Sequence, residues 1–239
     1  SKNTKKEKRG KTLNYLVETK EVREGLDISR RTEWEKWIKF TAGKPCRGKE
    51  LRQLLAAGHK PINMRWVDVD KSSHLRRPGG PYVPPEYKSR LCGRGDMEYV
   101  EGLRTDSPTA EIESHHILFS FAAARKLKIR TADISNAYFQ GDVLDRVILM
   151  RPPNTGIPDP VYADGEAMIL ARVPIYGTAD AGRKFWKKFK REIGNTEFRE
   201  SRIARALYVL EKSGYIAGML LTHVDDMLWA VDSQHDGCV

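Results

Sequence analysis

The most informative local feature is a pair of adjacent carboxylates, Asp225 and Asp226, between two apolar segments with strand-like composition. The segments cover 215–224 and 227–231, so the turn that joins them must be very tight. Such turns usually contain glycine or asparagine, because a central residue needs a positive φ. Here the turn has no glycine and includes the β-branched Val224 next to two like charges. This departure from a local rule is typical of a functional site, and an ordinary polar turn fits the same residues about equally well.

A second candidate carboxylate, Asp133, ends a predicted strand and lies 92 positions before Asp225. A lone aspartate at a strand end is more often a cap or a surface charge, but two acidic clusters would meet if their strands were neighbours. Carboxylates brought together in this way suit hard divalent cations, which prefer oxygen ligands. Paired magnesium ions can activate an attacking hydroxyl and stabilise a leaving phosphate oxygen. The two clusters therefore indicate metal-dependent chemistry at a phosphate group.

The elements that must position these carboxylates mix helices and strands without strict alternation, which predicts an α+β fold. Helices are predicted over 27–40, from Ser107 and Pro108 as N-cap and first residue, and over 179–193. The second helix is expected to bury Ile117, Leu118, Phe121 and Ala124. Further strands are predicted over 64–69, 87–92, 128–134 and 168–173, with Pro- and Gly-rich loops over 76–85 and 151–165. The third helix has a basic face, formed by Arg183, Lys184, Lys187, Lys188, Lys190 and Arg191. Contact with phosphates and simple solvation explain that face equally well.

Composition narrows the class of protein. The 239 residues include 42 Lys and Arg against 32 Asp and Glu, and the formal charge of +10 favours a polyanionic partner without proving one. The three cysteines are far apart, which argues against a zinc site or a disulfide framework and favours a reducing compartment. No stretch approaches the ~20 apolar residues of a membrane span. The Lys-rich first residues are expected to form a disordered tail or a linker.

Several motifs, taken together, resemble copia-type retrotransposon reverse transcriptases. The segment Asp-Ile-Ser-Asn-Ala-Tyr-Phe-Gln-Gly from Asp133 is similar to the first catalytic motif of that family, and His-Val-Asp-Asp ending at Asp226 is similar to its Tyr-Val-Asp-Asp. Between them, Ile-Tyr-Gly-Thr-Ala-Asp-Ala-Gly-Arg-Lys-Phe-Trp resembles Leu-Tyr-Gly-Leu-Lys-Gln-Ala-Pro-Arg-x-Trp. Further similar segments begin at Arg65, Lys88, Thr105 and Met150. Seven motifs in the right order cover about residues 30–231.

The resemblance implies an RNA-directed DNA polymerase, part of a retrotransposon Pol polyprotein. Its expected α+β architecture is a polymerase palm, an antiparallel sheet backed by helices, with fingers and without a thumb. Residues 1–28 would be a basic tail or linker, 29–129 the fingers and first palm helix, and 130–239 the palm core, truncated at its C-terminal end. Expected partners are an RNA template, a DNA primer-template, deoxynucleoside triphosphates and the rest of the polyprotein, with no membrane. The expected location is the cytoplasm, in a retrotransposon particle, or the nucleus.

The resemblance also implies roles for single residues. Asp133, Asp225 and Asp226 would be catalytic, and two Mg²⁺ ions, or Mn²⁺ in their place, would be bound by Asp133, Asp225 and the backbone carbonyl of Ile134. Asp226 would support the site more weakly. The nucleotide-binding residues would be Lys88 and Arg90 at the triphosphate, Tyr138 against a 2′-hydroxyl, and Tyr176, Gly177 and Arg183 at the floor for template and nucleotide. Exposed edge-strand charges and a half-buried aromatic ring are the structural alternatives for Lys88, Arg90 and Tyr138.

Two residues depart from the family pattern. Asp180 replaces a glutamine that positions nucleotide and template, and His223 replaces the tyrosine of the Tyr-x-Asp-Asp motif. An alternative function is therefore a catalytically inactive nucleic-acid-binding relic of such an element. A more remote alternative is a two-carboxylate, metal-dependent hydrolase on an unrelated fold.

Overall fold

The computed structural model describes residues 11–232 and residue 234. Within them there are four α-helices: α1 (Lys20–Lys39), α2 (Gly48–Ala56), α3 (Ile112–Ala124) and α4 (Ala181–Gly194). The described strands are β1 (Lys11–Leu13), β2 (Gly43–Cys46), β3 (Ile62–Asp70), β4 (Tyr87–Gly93), β5 (Arg130–Asp133), β6 (Leu149–Arg151), β7 (Met168–Ala171), β8 (Phe198–Glu200), β9 (Leu207–Lys212), β10 (Tyr215–His223) and β11 (Asp226–Val231). Short 3-10 turns, among them Ala137–Gln140, connect these elements. The mixture of sheets and helices confirms the α+β class. None of the described helices has the length and hydrophobicity that a membrane span requires.

The chain divides into two compact units, and each unit is built from two separate segments. The first unit extends to Tyr99 and includes Val143–Thr178, and the second comprises Val100–Asp142 and the segment from Ala179 onward. The division expected from sequence was contiguous, at 1–28, 29–129 and 130–239, so its boundaries differ from those of the two units. The assignment of fingers and palm to those ranges stays a prediction.

The first unit contains a largely antiparallel sheet. Its described strands follow the order β1-β3-β6-β7-β2, and β4 pairs with β3 along seven residues. Helix α1 packs on β4 so closely that a Cβ at Gly25 would lie 2.4 Å from the ring of Tyr87. Its inner face buries Leu26, Trp34 and Trp37. This packing fixes the position of β4, the strand that presents Lys88 and Arg90.

The second unit is an antiparallel sheet with a helix on each face. The described strands follow the order β5-β11-β10-β9-β8. Helix α3 places Leu118 against Met219 and Leu221 on one face. On the other face, Phe189 of α4 packs against a core that includes Leu220. Because successive strand residues point to opposite faces, one apolar stretch in β10 supplies both cores.

Local patterns located most elements, and the differences have physical causes. Helix α1 begins at Lys20, seven residues before the expected start, because the side chain of Thr19 accepts a hydrogen bond from the amide of Val22 and caps it. The sequence predicted a disordered tail or linker over residues 1–28. In the structure β1 and the start of α1 lie within this range, and residues 1–10 are outside the described part of the chain. The predicted start of the second helix at Ser107 and Pro108 is wrong, since α3 begins at Ile112.

The cause of the late start of α3 is a tertiary contact. The amide of Ala110 donates a hydrogen bond to the carbonyl of Thr222 in β10 at 3.0 Å, which holds the preceding segment outside the helix. The buried stripe also shifts, because Ala122 is buried and Ala124 is exposed. Elements without a clear local pattern were missed, namely β1, β2, β6, β8, β9 and α2.

Candidate active site

The hairpin of β10 and β11 carries the adjacent carboxylates at its tip. The strands pair from Gly218 opposite Val231 to His223 opposite Asp226, which leaves Val224 and Asp225 as the two turn residues. Val224 has a φ of 59°, in the left-handed region where a β-branched residue is strained. The positive φ that such a tight turn needs is therefore adopted by Val224, where a glycine would be usual.

Strand β5 lies directly beside this hairpin. It pairs antiparallel with β11, and Asp133 is opposite Asp226. The amide of Ile134 donates to the carbonyl of Asp225 at 2.8 Å, which makes Asp133 and Asp226 a pair without direct backbone hydrogen bonds. Cα atoms in such a pair are about 4.5 Å apart, and the two side chains share one face. The two acidic clusters, far apart in sequence, are thus cross-strand neighbours.

The face that carries Asp133 and Asp226 opens into a cleft of about 590 Å³. His223 also lines the cleft, as does His115 of α3. The ring Nδ1 of His115 donates to the carbonyl of Glu111 at 2.8 Å, so the other ring nitrogen of a neutral imidazole is an acceptor. Like charges directly opposite each other on neighbouring strands destabilise a sheet, and a bound cation would remove that cost.

The oxygen atoms of Asp133 and Asp226 are the type of ligand that magnesium prefers. Asp133 and Asp226 are exposed carboxylates at the end of paired strands, and hard oxygen ligands of this kind suit a hard divalent cation. Across residues 11–232 and residue 234, no three or more side chains of the metal-binding types surround a common position. What the described backbone does show is that Asp133 and Asp226 lie opposite each other on paired strands.

Tyr138 lies one short turn after β5. Asn136 adopts a φ of 54°, which asparagine tolerates, and starts the 3-10 turn that carries Tyr138. The tyrosine ring packs edge-to-face on Phe185 of α4, with 6.3 Å between centroids. Its hydroxyl would be 3.9 Å from a Cβ at Gly182. This half-buried ring is fixed by α4 and belongs to the same unit as the carboxylates.

Arg183 and Asp180 lie at the start of α4. The guanidinium of Arg183 donates to Asp106 at 2.8 Å, and its side chain is mostly buried. Asp180 is only 1% exposed and occupies the N-cap position, where a negative charge is favourable. The carboxylate that departs from the family pattern is thus withdrawn from solvent.

The expected triphosphate-binding residues belong to the first unit. Lys88 and Arg90 alternate along β4 with the buried Ser89 and Leu91. Burial, together with the nearby charges of Arg90 and two further lysines, lowers the pKa of Lys88 below its usual value. These two lysines are Lys36 of α1 and Lys71. We call Lys36, Lys71, Lys88 and Arg90 the cation cluster. Two of its members are paired with carboxylates, Lys36 with Glu33 at 3.2 Å and Lys71 with Glu86 at 3.7 Å.

Tyr176 and Gly177 lie against the end of β4. The amide of Gly93 donates to the carbonyl of Tyr176 at 2.8 Å, and the amide of Gly95 donates to that of Gly177 at 2.9 Å. Gly177 has a φ of 83°, and a Cβ there would lie 2.3 Å from the carbonyl oxygen of Gly93. Only glycine permits this approach. The guanidinium of Arg90 is 5.4 Å from the centre of the Tyr176 ring.

The expected site residues therefore form two groups. Lys88, Arg90, Tyr176 and Gly177 belong to the first unit, and Asp133, Ile134, Tyr138, Arg183, Asp225 and Asp226 belong to the second. Their roles remain predictions. Sequence reasoning missed Lys36, Lys71 and His115, which the fold brings close to these groups, and no spacing in the sequence signals them.

Comparison with known proteins identifies the family. Residues 53–235 match the family described as reverse transcriptase (RNA-dependent DNA polymerase). The chain is 31% identical over 147 residues to the retrovirus-related Pol polyprotein from transposon RE2 of Arabidopsis thaliana, which covers 59% of this chain and 10% of that protein. It is 24% identical over 179 residues to the corresponding polyprotein from transposon TNT 1-94 of Nicotiana tabacum, which covers 73% and 12%.

The chain spans about a tenth of the length of these curated relatives. No solved structure matches it. The family match covers well over half of the chain and includes both acidic clusters. The chain belongs to the reverse transcriptase (RNA-dependent DNA polymerase) family, and its resemblance to the copia-type members is confirmed.

Proposed function

We propose that this chain supplies the RNA-directed DNA polymerase site of a retrotransposon Pol polyprotein, which extends a primer 3′-hydroxyl with deoxynucleoside triphosphates. The observation that carries the proposal is the register of β5 on β11. It places Asp133 opposite Asp226, next to the strained turn at Asp225. The ends of paired strands hold these carboxylates more rigidly than a loop would. Nucleotidyl transfer requires such fixed positions of its reacting groups.

The chain's own carboxylates would hold the metal ions. Asp133 and Asp225 would bind both, with the carbonyl of Ile134 as a further ligand and Asp226 as a weaker support. When bound, two Mg²⁺ ions, or Mn²⁺ in their place, would lower the pKa of the primer hydroxyl and neutralise charge on the triphosphate. The hydrogen bond from Ile134 to Asp225 would keep the turn and β5 in register during this chemistry.

Other residues would bind the substrates. The positions of Lys88 and Arg90, two residues apart on β4 with Arg90 beside the Tyr176 ring, support their assignment to the triphosphate, because cations stabilise a transferring phosphoryl group. Tyr138, held by Phe185, would exclude a 2′-hydroxyl by steric contact. Tyr176, Gly177 and Arg183 would form the floor for template and nucleotide.

The proposed architecture assigns a palm to the second unit and fingers to the first. The antiparallel sheet of the second unit and the helices packed on it support the palm assignment. The partners would be an RNA template, a DNA primer-template and the remainder of the polyprotein, in a cytoplasmic particle or the nucleus. The free thiols of Cys46 and Cys92 are compatible with a reducing compartment.

Primer extension tests the proposal. The chain is incubated with an RNA template, a DNA primer, deoxynucleotides and Mg²⁺, and extension is compared for wild type, Asp225→Asn and Asp232→Asn. Asp232 follows β11 at its opposite end, so its variant is a matched control for the loss of one carboxylate. We expect Asp225→Asn to reduce extension by at least about 100-fold, because the metals supply several kcal/mol of charge stabilisation. Undiminished extension by Asp225→Asn would refute the catalytic assignment.

The same assay separates the second candidate, a nucleic-acid-binding relic. His223 favours it, since an imidazole replaces the family's phenol directly opposite Asp226. A relic would bind the primer-template and extend nothing, even with His223→Tyr. Extension that rises in His223→Tyr would support a working site with a suboptimal residue.

A further inference from the structure

Helix α1 covers the outer edge of β4 with two polar side chains that lie one helical turn apart. The hydroxyl of Ser29 accepts a hydrogen bond from the amide of Ser89 at 2.8 Å and donates one to the carbonyl of Tyr87 at 3.3 Å. One turn further along, the carboxylate of Glu33 accepts a hydrogen bond from the amide of Leu91. Among the described strands β4 pairs with β3 alone, so these contacts satisfy backbone groups that its outer edge would leave unpaired.

Glu33 is a buried carboxylate whose charge is only partly neutralised. The residue is 3% exposed, and its Oε2 atom lies 3.2 Å from the ammonium of Lys36 on the next turn of α1. The other carboxylate oxygen, Oε1, has no hydrogen-bond partner among the described residues. Such an oxygen is costly to bury in the charged form, and protonation relieves that cost. Burial accordingly raises the pKa of Glu33, against the opposing effects of Lys36, the Leu91 amide and Arg90.

The surroundings of Glu33 connect it to the cation cluster. The charged and titratable groups that act on Glu33 or on the thiol beside it are Lys36 of α1, Arg90 and Cys92 of β4, and Arg65 of β3. Cys92 stays a neutral thiol near neutral pH, because burial raises its pKa to about 11. Burial lowers the pKa of Lys88, and the charges of Arg90 and Lys36 lower it further. A change in the charge of Glu33 is therefore felt across the cation cluster.

We propose that Glu33 is a positioning residue that couples proton uptake to anion binding at the cation cluster. The charged carboxylate holds Lys36 and opposes an anion beside Lys88 and Arg90. The protonated carboxyl keeps its hydrogen bond from the Leu91 amide, removes one negative charge and releases Lys36 toward the anion. The proton and the anion then favour each other's binding by the same factor. The inference rests on the proposed function for the identity of the anion, which is the triphosphate of a nucleotide.

Calorimetric titration of the full chain with inorganic triphosphate, without Mg²⁺ and between pH 8 and pH 5, tests the proposal. Glu33→Gln has the shape and charge of the protonated carboxyl. Coupling between two ligands typically changes an affinity about 5- to 150-fold, so at pH 8 the variant should bind triphosphate about 5-fold or more tightly than the wild type. As the pH falls, the affinity of the wild type should approach that of the variant. Protonation of the triphosphate itself is common to both proteins and cancels in the ratio of their affinities.

Glu86→Gln is the matched control, because Glu86 pairs with Lys71 of the same cluster at 3.7 Å and its side chain is 66% exposed. It removes the same charge where solvent screens it, so its effect on affinity should be smaller than that of Glu33→Gln. Equal gains from both variants would show a general effect of net charge and overturn the proposal. So would parallel pH profiles for the wild type and Glu33→Gln, or the absence of triphosphate binding by either protein.

The reciprocal measurement uses the wild type alone and follows the carboxyl of Glu33 by ¹³C NMR, with and without triphosphate. The proton affinity of Glu33 should increase on binding by the same factor, about 5-fold or more, which moves its titration to higher pH. A role confined to the packing of α1 on β4 would leave this titration unmoved, and that result would overturn the proposal.

Primer extension separates this inference from the proposed function. A chain that extends no primer and still shows coupled binding of proton and triphosphate would refute the proposed function alone. A chain that extends a primer and binds triphosphate without this coupling would refute the role of Glu33 alone.

Discussion

Val224→Gly tests whether the turn at the carboxylates stores strain. Val224 has a φ of 59°, and an L-residue in this region costs roughly 1–2 kcal/mol. Glycine removes that cost but loses about 0.5–1 kcal/mol through its greater freedom in the unfolded chain. The midpoints of these two ranges leave a net stabilisation of about 0.75 kcal/mol. For a chain of this size, that raises the melting temperature by about 1–4 °C.

Thermal unfolding measures the effect, with Val224→Ala as the matched control. Alanine keeps the Cβ in the strained region and removes only the branched methyl groups, so it should not raise the melting temperature. Primer extension by Val224→Gly should fall at the same time, because a looser turn positions Asp225 less well. Destabilisation by Val224→Gly equal to that by Val224→Ala would show that the valine is held by packing and that the strain argument is mistaken.

Three further changes probe the rest of the molecule. Asp68→Ala should lower the free energy of unfolding, measured in urea, by about 3–5 kcal/mol. The Arg30 guanidinium lies 2.6 Å from Asp68 and its side chain is only 6% exposed, so the substitution leaves a buried positive charge without its partner. A loss below about 1 kcal/mol would contradict this. Burial raises the pKa of Cys92 to about 11, so its alkylation rate should increase about tenfold per pH unit from pH 8 to that value, and a plateau near pH 9 would contradict it. Burial also raises the pKa of the Glu33 carboxyl above its ordinary value of 4.5. The folded chain therefore holds the Glu33 proton more tightly than the unfolded chain does, and the free energy of unfolding falls as the pH rises above 4.5. Glu33→Gln should therefore be relatively more stable at pH 7 than at pH 4 in urea titrations, and the opposite trend would contradict the shift.

Elements with strong local signals were predictable from the sequence. Helix α4 has apolar residues at four-residue steps, and the pair β10 and β11 is continuous apolar sequence interrupted only at the turn. Their bounds agree with the prediction to within about two residues. Helix α3 was misplaced at its start because the hydrogen bond from Ala110 to Thr222 is tertiary and leaves no local signal. Short strands such as β6 and β8, with three residues each, depend on their neighbours in the same way.

The sequence marked the two acidic clusters of the candidate site but did not show the register that makes them neighbours; the roles of their residues stay predictions. Sequence alone marked Asp133, Asp225 and Asp226, because the turn broke a local rule and the motifs resembled a family. It did not predict that Asp226 lies opposite Asp133. A shift of one residue would exchange the faces of the strand, and the pairing that prevents the shift comes from the whole sheet.

The most direct test of the central claim is where divalent ions bind. With aspartate amides labelled selectively with ¹⁵N, substoichiometric Mn²⁺ is added and loss of each NMR signal is followed, with deoxynucleotide present. The signals of Asp133, Asp225 and Asp226 should disappear first and return on addition of Mg²⁺, while that of Asp232, after the opposite end of β11, persists. Early loss at other aspartates, or uniform loss at all of them, would contradict a metal site at the end of β5 and β11.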